Sequence, residues 1–303
     1  MKKTTNYLLS GAIIIALLAV GACSKKNDAL PQIDGYNNSD EVAKTNLVAH
    51  WSFDTDNTEV ISKTAPAHTF GTVGSTTGQI GKALQLTAGA LVFPPIAKIN
   101  EANALNNFTV SLWVNAAGTK AGTNGFTSFF GLVPTGATDI WPDICANAET
   151  ARHLASSDTL ELKNLLNTHP VGAGNKIQDN IALKNTDPNS VDLNTGAYFM
   201  GAKKWSHYVL KWDGTANVFK LYANGVSVGG YDHKTATGVE IMAVPVQAVF
   251  GSLVSSDIGF TGAPAQQSWN PWATASIDDV RVYNTALADK DITALFNLGT
   301  AGR

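Results

Sequence analysis

Apolar residues in this chain recur at every second position over short stretches. Leu47, Ala49, Trp51 and Phe53 fall on one side of an extended segment, with Val48, His50 and Ser52 on the other. Phe108, Val110, Leu112 and Val114 repeat the pattern against Thr109, Ser111 and Trp113. A period of two is the side-chain spacing of a strand, whereas a helix would scatter these residues around its circumference. Further strands are predicted at 83–86, 90–93, 126–133, 205–212, 218–223, 226–229, 244–250 and 277–283. Asn224-Gly225 separates two of them, and both residues tolerate the positive φ of a two-residue hairpin turn. Short strands punctuated by turns predict an all-β fold of antiparallel sheets packed face to face.

The 303 residues, 15% of them charged, suffice for one large β domain of roughly 250 residues. Its charge argues against a nucleic-acid partner. Loss of Lys2 and Lys3 with an export signal takes 21 basic side chains to 19 against 24 acidic ones, a net charge of −5. Binding phosphate backbones needs a basic stripe, and none exists outside the signal.

The N-terminus reads as that signal. Lys2 and Lys3 precede an apolar run from Tyr7 to Val20, shorter than the roughly 20 residues a bilayer-spanning helix needs. Val20-Gly21-Ala22-Cys23 follows and resembles the cleavage site of a bacterial lipoprotein signal, in which the cysteine becomes the lipidated N-terminus. The resemblance implies a signal over 1–22, acylation of Cys23 and an outer-membrane, lipid-anchored location, possible at the cell surface. Ordinary secretion with cleavage nearby is the alternative. Ser24 favours the outer membrane, and Lys25, Lys26 and Asp28 bear a faint likeness to the surface-export tags of Bacteroidetes lipoproteins. Residues 23–44 are polar, with Pro31, Gly35, Asn37, Asn38 and Ser39, and are expected to form a flexible tether before a domain over 45–303. With Cys23 committed to lipid, Cys145 has no disulfide partner and is expected as a small buried residue.

Six blocks in order carry a further resemblance: Leu47-Val-Ala-His-Trp-Ser-Phe-Asp54, Gly81-Lys-Ala-Leu-Gln-Leu86, Phe108-Thr-Val-Ser-Leu-Trp-Val114, Trp205-Ser-His-Tyr-Val-Leu-Lys-Trp-Asp213, Leu221-Tyr-Ala-Asn-Gly225 and Ile277-Asp-Asp-Val-Arg-Val-Tyr283. Together they are similar to the concanavalin A-like, laminin G-type jelly roll of bacterial surface proteins. The likeness spans about Leu47 to Leu298 and implies two curved antiparallel sheets of some six or seven strands each. It also implies a short C-terminal helix whose Leu287, Ile292, Leu295 and Phe296 fold back on the sandwich. Ala288 stands where the family often has Ser or Thr, so the helix cap should be weaker or come from Asp289. Residues 134–197 exceed the family pattern as an insertion. Within it, 157–166 could be a helix with Leu162, Leu165 and Leu166 on one side, or part of a strand pair.

The acidic cluster Asp54, Asp56 and Glu59 loosely resembles the catalytic strand of jelly-roll glycoside hydrolases. Those enzymes need facing carboxylates on a rigid strand, and here Asn57-Thr58 breaks the strand, so a non-catalytic protein is expected. In the family an acidic residue after the first strand can meet the Asp of the last, which makes Asp54 and Asp278 candidate ligands of a structural Ca²⁺ ion. Hydrogen bonding of Asp278 or Asp279 to backbone, or pairing with Arg281, is the alternative. None of the six histidines has zinc-ligand spacing. Trp51, Trp113, Trp205 and Trp212 sit in strand blocks and are expected to pack the interior. Trp269-Asn270-Pro271-Trp272, beside Gln266 and Gln267 in a loop, and Trp141 in the insertion are instead candidates for a glycan platform. The expected function is a membrane-anchored, lectin-like capture of carbohydrate, with protein adhesion and an undetected glycan-processing activity as alternatives.

Overall fold

Alternation becomes architecture at β4 (Asn107–Asn115), the computed structural model's clearest case. Phe108, Val110, Leu112 and Val114 enter the main core, while Trp113 turns to the opposite side, where Phe296 stacks on it at 5.8 Å. The description covers residues 30–116, 126–134, 136–149, 160, 162–169, 172, 174, 176–181, 191–192, 201–232 and 241–303. Cys23, the signal at 1–22 and the start of the tether lie outside the described residues.

The strands are β1 (Leu47–Trp51), β2 (His68–Thr77), β3 (Lys82–Val92), β4, β5 (Phe126–Pro134), β6 (Ile144–Glu149), β7 (Leu162–Thr168), β8 (Lys176–Ile181), β9 (Val191–Asp192), β10 (Ser206–Asp213), β11 (Val218–Ala223), β12 (Val226–Asp232), β13 (Pro245–Phe250) and β14 (Ala273–Tyr283). All described pairings are antiparallel, and hydrogen bonds run without a break along β8-β7-β6-β5-β13-β3-β14-β4-β10-β11-β12-β9. The two layers of the expected sandwich are therefore the halves of one curled sheet. Strand β3 joins them: its later residues Leu91 and Val92 pair with β13, and Leu84 to Gly89 pair with β14. The main core includes Trp51, boxed by Phe93, Phe130 and Phe250 at ring distances of 5.3 to 5.6 Å. Asn224 and Gly225 both have positive φ, as the hairpin between β11 and β12 requires.

One open alternative is decided, one strand was not predicted, and one boundary moves. Residues 162–168 form a strand, not a helix: Leu162, Asn164, Leu166 and Thr168 are all buried, a period of two that the polar Asn164 hides among helically spaced leucines. Strand β2 carries no apolar alternation at all and forms because its backbone pairs with β3 over most of its length. The tether expected through residue 44 is too long. From Gln32 the chain belongs to the same unit as the domain. Ser39 Oγ donates to the carbonyl of Arg303, Tyr36 Oη donates to Asp291 at 2.8 Å, and Val42 is wholly buried.

Helix α1 (Asp289–Thr300) begins at Ala288 without a side-chain cap. Asp289 does not cap it, because its carboxylate accepts from Lys211 Nζ and Tyr222 Oη, each at 2.6 Å. The helix is held by packing: Leu287, Ile292, Leu295 and Leu298 share a core with Val209, Tyr222 and Tyr283. Phe296 adds its stack on Trp113, whose ring lies so close to α1 that it leaves no room for a Cβ at Gly299.

Candidate functional site

The insertion is folded onto the sheet by β6 and β7, and the chain leading into β6 builds a pocket there. Pro142 rests on Gly131, where a Cβ would meet its ring at 2.8 Å. Backbone hydrogen bonds fix the segment on both sides: Asp143 donates to Leu132 at 2.9 Å, and Ile140 accepts from Val254 at 3.0 Å. Trp141 thereby lines a pocket of about 350 Å³ together with Thr138, Asp139, Asp143, Asn167 and His169 among others. Asn167 and His169 arrive from the end of β7, held by bonds to the Asp143 and Ile241 carbonyls, both at 2.7 Å.

Asp143 is the pocket's most perturbed group. It is fully buried, and desolvation pushes its carboxyl up to about 6, against the opposing pull of His169 at 3.4 Å. Its second oxygen and the side-chain oxygen of Asn167 are buried with no hydrogen-bond partner among the described residues. Beside the pocket stands an aromatic group. Trp141 and Trp269 lie 5.8 Å apart at 39°, and Phe126 meets Trp269 at 5.3 Å and Trp141 at 6.1 Å, both edge-on. Lys163 Nζ sits 5.7 Å from the Trp141 ring centre. Trp269 is 39% exposed, unusual for so large an apolar ring in this chain. The arrangement offers ring faces to C–H surfaces, with a carboxyl, an amide and an imidazole within the adjoining cavity for hydroxyl groups.

Of the predicted platform, Trp141 and Trp269 come together and the other two residues go elsewhere. Trp272 packs on Phe70 at 5.7 Å against a separate apolar cluster. Asn270 is buried and shapes the loop, accepting from the backbone of Gln267 at 3.1 Å and from Gln266 Nε2. Phe126, Asp143, Asn167 and His169 were not picked out from the sequence. Only Pro142, which sets Trp141 beside Asp143, gave a local signal.

The Asp54 and Asp278 pair does not suit a calcium ion. Both grip the turn between β2 and β3: Asp54 Oδ1 accepts from Lys82 N at 3.0 Å and Asp278 Oδ2 from Ile80 N at 2.8 Å. Backbone fills the space they face, since a Cβ at Gly81 or Gly78 would fall 2.0 or 2.4 Å from those same oxygens. Among the described residues no three His, Cys, Asp or Glu side chains gather as a metal would require. Burial, which pushes the Asp278 carboxyl up to about 7, also works against the ionised form that a cation would need. Asp279 behaves differently. Burial works to raise it, but the charge of Arg281 and the His50 hydrogen bond at 2.8 Å outweigh that and hold it well below the usual carboxylate range. The remaining acids of the first loop do not face one another. Asp56 is exposed, and the buried Glu59 carboxylate accepts from the backbone of His50 at 2.7 Å and Ile61 at 2.9 Å, tying the loop to β1.

A family model described as the concanavalin A-like lectin/glucanases superfamily matches residues 95–293. No curated protein sequence matches the chain. Three solved structures are similar to this chain. Domain 4 of AbnA, a GH43 extracellular arabinanase from Geobacillus stearothermophilus in complex with arabinotriose, is 20% identical over 82% of this chain and 97% of that one, with a TM-score of 0.49. The binding domain of Paraclostridial Mosquitocidal Protein 1 is 15% identical over 84% of this chain and 52% of that one, with a TM-score of 0.55. The binding domain of Botulinum neurotoxin DC, in complex with rat synaptotagmin II, is 13% identical over 84% and 51%, with a TM-score of 0.51. The chain thus spans about half the length of each toxin binding domain, and at these identities the likeness is one of fold.

Proposed function

Because the chain belongs to the concanavalin A-like lectin/glucanases superfamily, we propose that it is a carbohydrate-binding module held at the outer membrane by a lipid on Cys23, with the Trp141 pocket as its glycan site. One observation carries the binding half of this reading: the exposed Trp269 ring, with Trp141 and Phe126, stands at a pocket furnished with Asp143, Asn167 and His169. Sugar rings stack their C–H faces on indoles while their hydroxyls seek carboxyl, amide and imidazole groups. The anchor rests on the cysteine and the short apolar run before it.

A glycan array probed with the wild type, Trp269→Ala and Trp141→Ala tests the site. Binding in the wild type that both variants lose is the expected outcome; unchanged binding in both removes the assignment. A second reading is favoured by one feature, the buried Asp143, whose carboxyl desolvation pushes up to about 6, sharing its pocket with the exposed Asp139. A buried acid beside a second carboxylate is the raw material of glycoside cleavage, so every array hit should be assayed for shortened products. Product formation that Asp143→Asn abolishes would make the module an enzyme.

A further inference from the structure

The helix-bearing side of the sheet carries a second groove that the Trp141 pocket does not involve. Gly74 of β2, Gln85 of β3, Ser276 of β14 and Asn115 of β4 are successive cross-strand partners and so form one row on one face. Asn115 lies two residues beyond Trp113, on the same face as the ring that stacks on α1. Trp205, just before β10, stands at the end of the row, because Ser206 pairs with Val114. These elements enclose a groove of about 300 Å³ lined by Thr76, Gln85, Asn115, Trp205, Thr274 and Ser276 among others.

The lining selects its ligand by chemistry. It contains no ionisable side chain, so a phosphate, carboxylate or ammonium group would find no counter-charge. It is too rich in hydroxyls and amides for an apolar chain. Gln85 is fixed in place, accepting from Ser276 Oγ at 2.8 Å and donating to the Leu86 carbonyl at 3.1 Å. The Thr274 hydroxyl accepts from Ala88 N at 3.0 Å and keeps its own proton for a further acceptor. Thr76 and Asn115 are half-buried and their side chains make no hydrogen bond among the described residues. Strands lie about 4.8 Å apart, so Gln85, Ser276 and Asn115 place polar groups at regular intervals over roughly 10 Å, and the row ends on the half-buried indole of Trp205.

We propose that this groove is a second binding site, for an uncharged oligosaccharide laid across the strands with one sugar against Trp205. It is separate from the Trp141 site and does not depend on it. The test is a titration of the purified full chain with neutral hexasaccharides of glucose, xylose, mannose and arabinose, followed by amide NMR shifts and calorimetric stoichiometry. Whether or not the Trp141 site takes the same sugar, the wild type should bind one ligand per chain in this groove, with shifts at β3, β14 and β4 that Trp205→Ala weakens by about tenfold or more. Asn115→Ala, a change at the surface of β4, should weaken the same class and leave shifts around Trp269 intact. Trp269→Ala should remove only the other class. If Trp205→Ala and Asn115→Ala bind as the wild type does, or no sugar of the panel shifts the β3, β14 and β4 resonances, the groove is not a site. Loss of these shifts alone overturns this proposal and spares the Trp141 pocket, and the reverse pattern does the opposite.

Discussion

Replacing Asp278 by Asn should make the protein more stable at neutral pH and barely change it in acid. Asp278 is fully buried, with Oδ2 on the Ile80 amide at 2.8 Å and Oδ1 without a partner among the described residues. Burial, helped by the neighbouring Asp279 charge and resisted by backbone amides, moves its carboxyl from 3.8 to about 7. At 1.36 kcal/mol per pH unit, a shift of about three units disfavours the ionised form by up to about 4 kcal/mol. The folded value lies above the unfolded one, so the native state binds the extra proton between them. Stability is therefore fully present below about pH 4 and is lost as pH rises to about 7. Asn has the same outline, accepts from Ile80 through its amide oxygen and does not titrate. Urea midpoints of both proteins from about pH 4 to pH 8 should start close together and diverge, with the variant ahead by up to about 4 kcal/mol at the alkaline end. Parallel curves would refute the reasoning. So would a rise in the wild type's melting temperature on adding Ca²⁺ that Asp278→Asn abolishes, since the carboxylate would then be holding a cation.

Trp51→Ala should cost about 3–5 kcal/mol in denaturant unfolding, because it removes a wholly buried indole boxed by Phe93, Phe130 and Phe250. Arg281→Met should cost a similar amount, about 3–5 kcal/mol. It strips the buried Asp279 of a two-pronged partner, Nε on Oδ2 at 2.9 Å and Nη2 on Oδ1 at 2.8 Å, and it frees Asp40, whose carboxylate lies 2.8 Å from Arg281 Nη1. Proteolysis between residues 32 and 44 should accordingly become faster in this variant. Trp269→Ala, by contrast, should shift stability by less than about 1 kcal/mol while abolishing array binding, since the ring is partly in solvent. Cys23→Ala should move the protein from the membrane fraction to the soluble one and abolish fatty-acid labelling; a variant that stays membrane-bound and labelled would remove the anchor.

Which elements could be read in advance follows from where their stabilisation lies. Strands β4 and β10 are buried on both faces, but only alternate residues enter the main core, Phe108, Val110, Leu112 and Val114 from one and Tyr208, Leu210 and Trp212 from the other, so the period of two is written into their residues. Strand β2 has no such face: its partner is the backbone of β3, and backbone hydrogen bonding leaves no mark on side-chain identity. Strand β7 was ambiguous because Asn164, buried against Tyr208 Oη in the core, breaks the apolar count that would have revealed it. Residues 32–44 read as tether because their polar side chains meet partners more than 250 positions away, among them Arg303 and Asp291.

Alternation determined from the sequence alone that this chain folds as antiparallel β-sheets packed face to face, a local consequence of which residues avoid water, and the family resemblance added the C-terminal helix. The sites were decided by the tertiary fold. Trp269 meets Trp141 across 128 positions of sequence while Trp272, three residues on, turns to Phe70. Gln85, Ser276 and Asn115 come into line only when β14 inserts between β3 and β4. A binding surface is a set of distances between distant residues, and only the closed sheet supplies them.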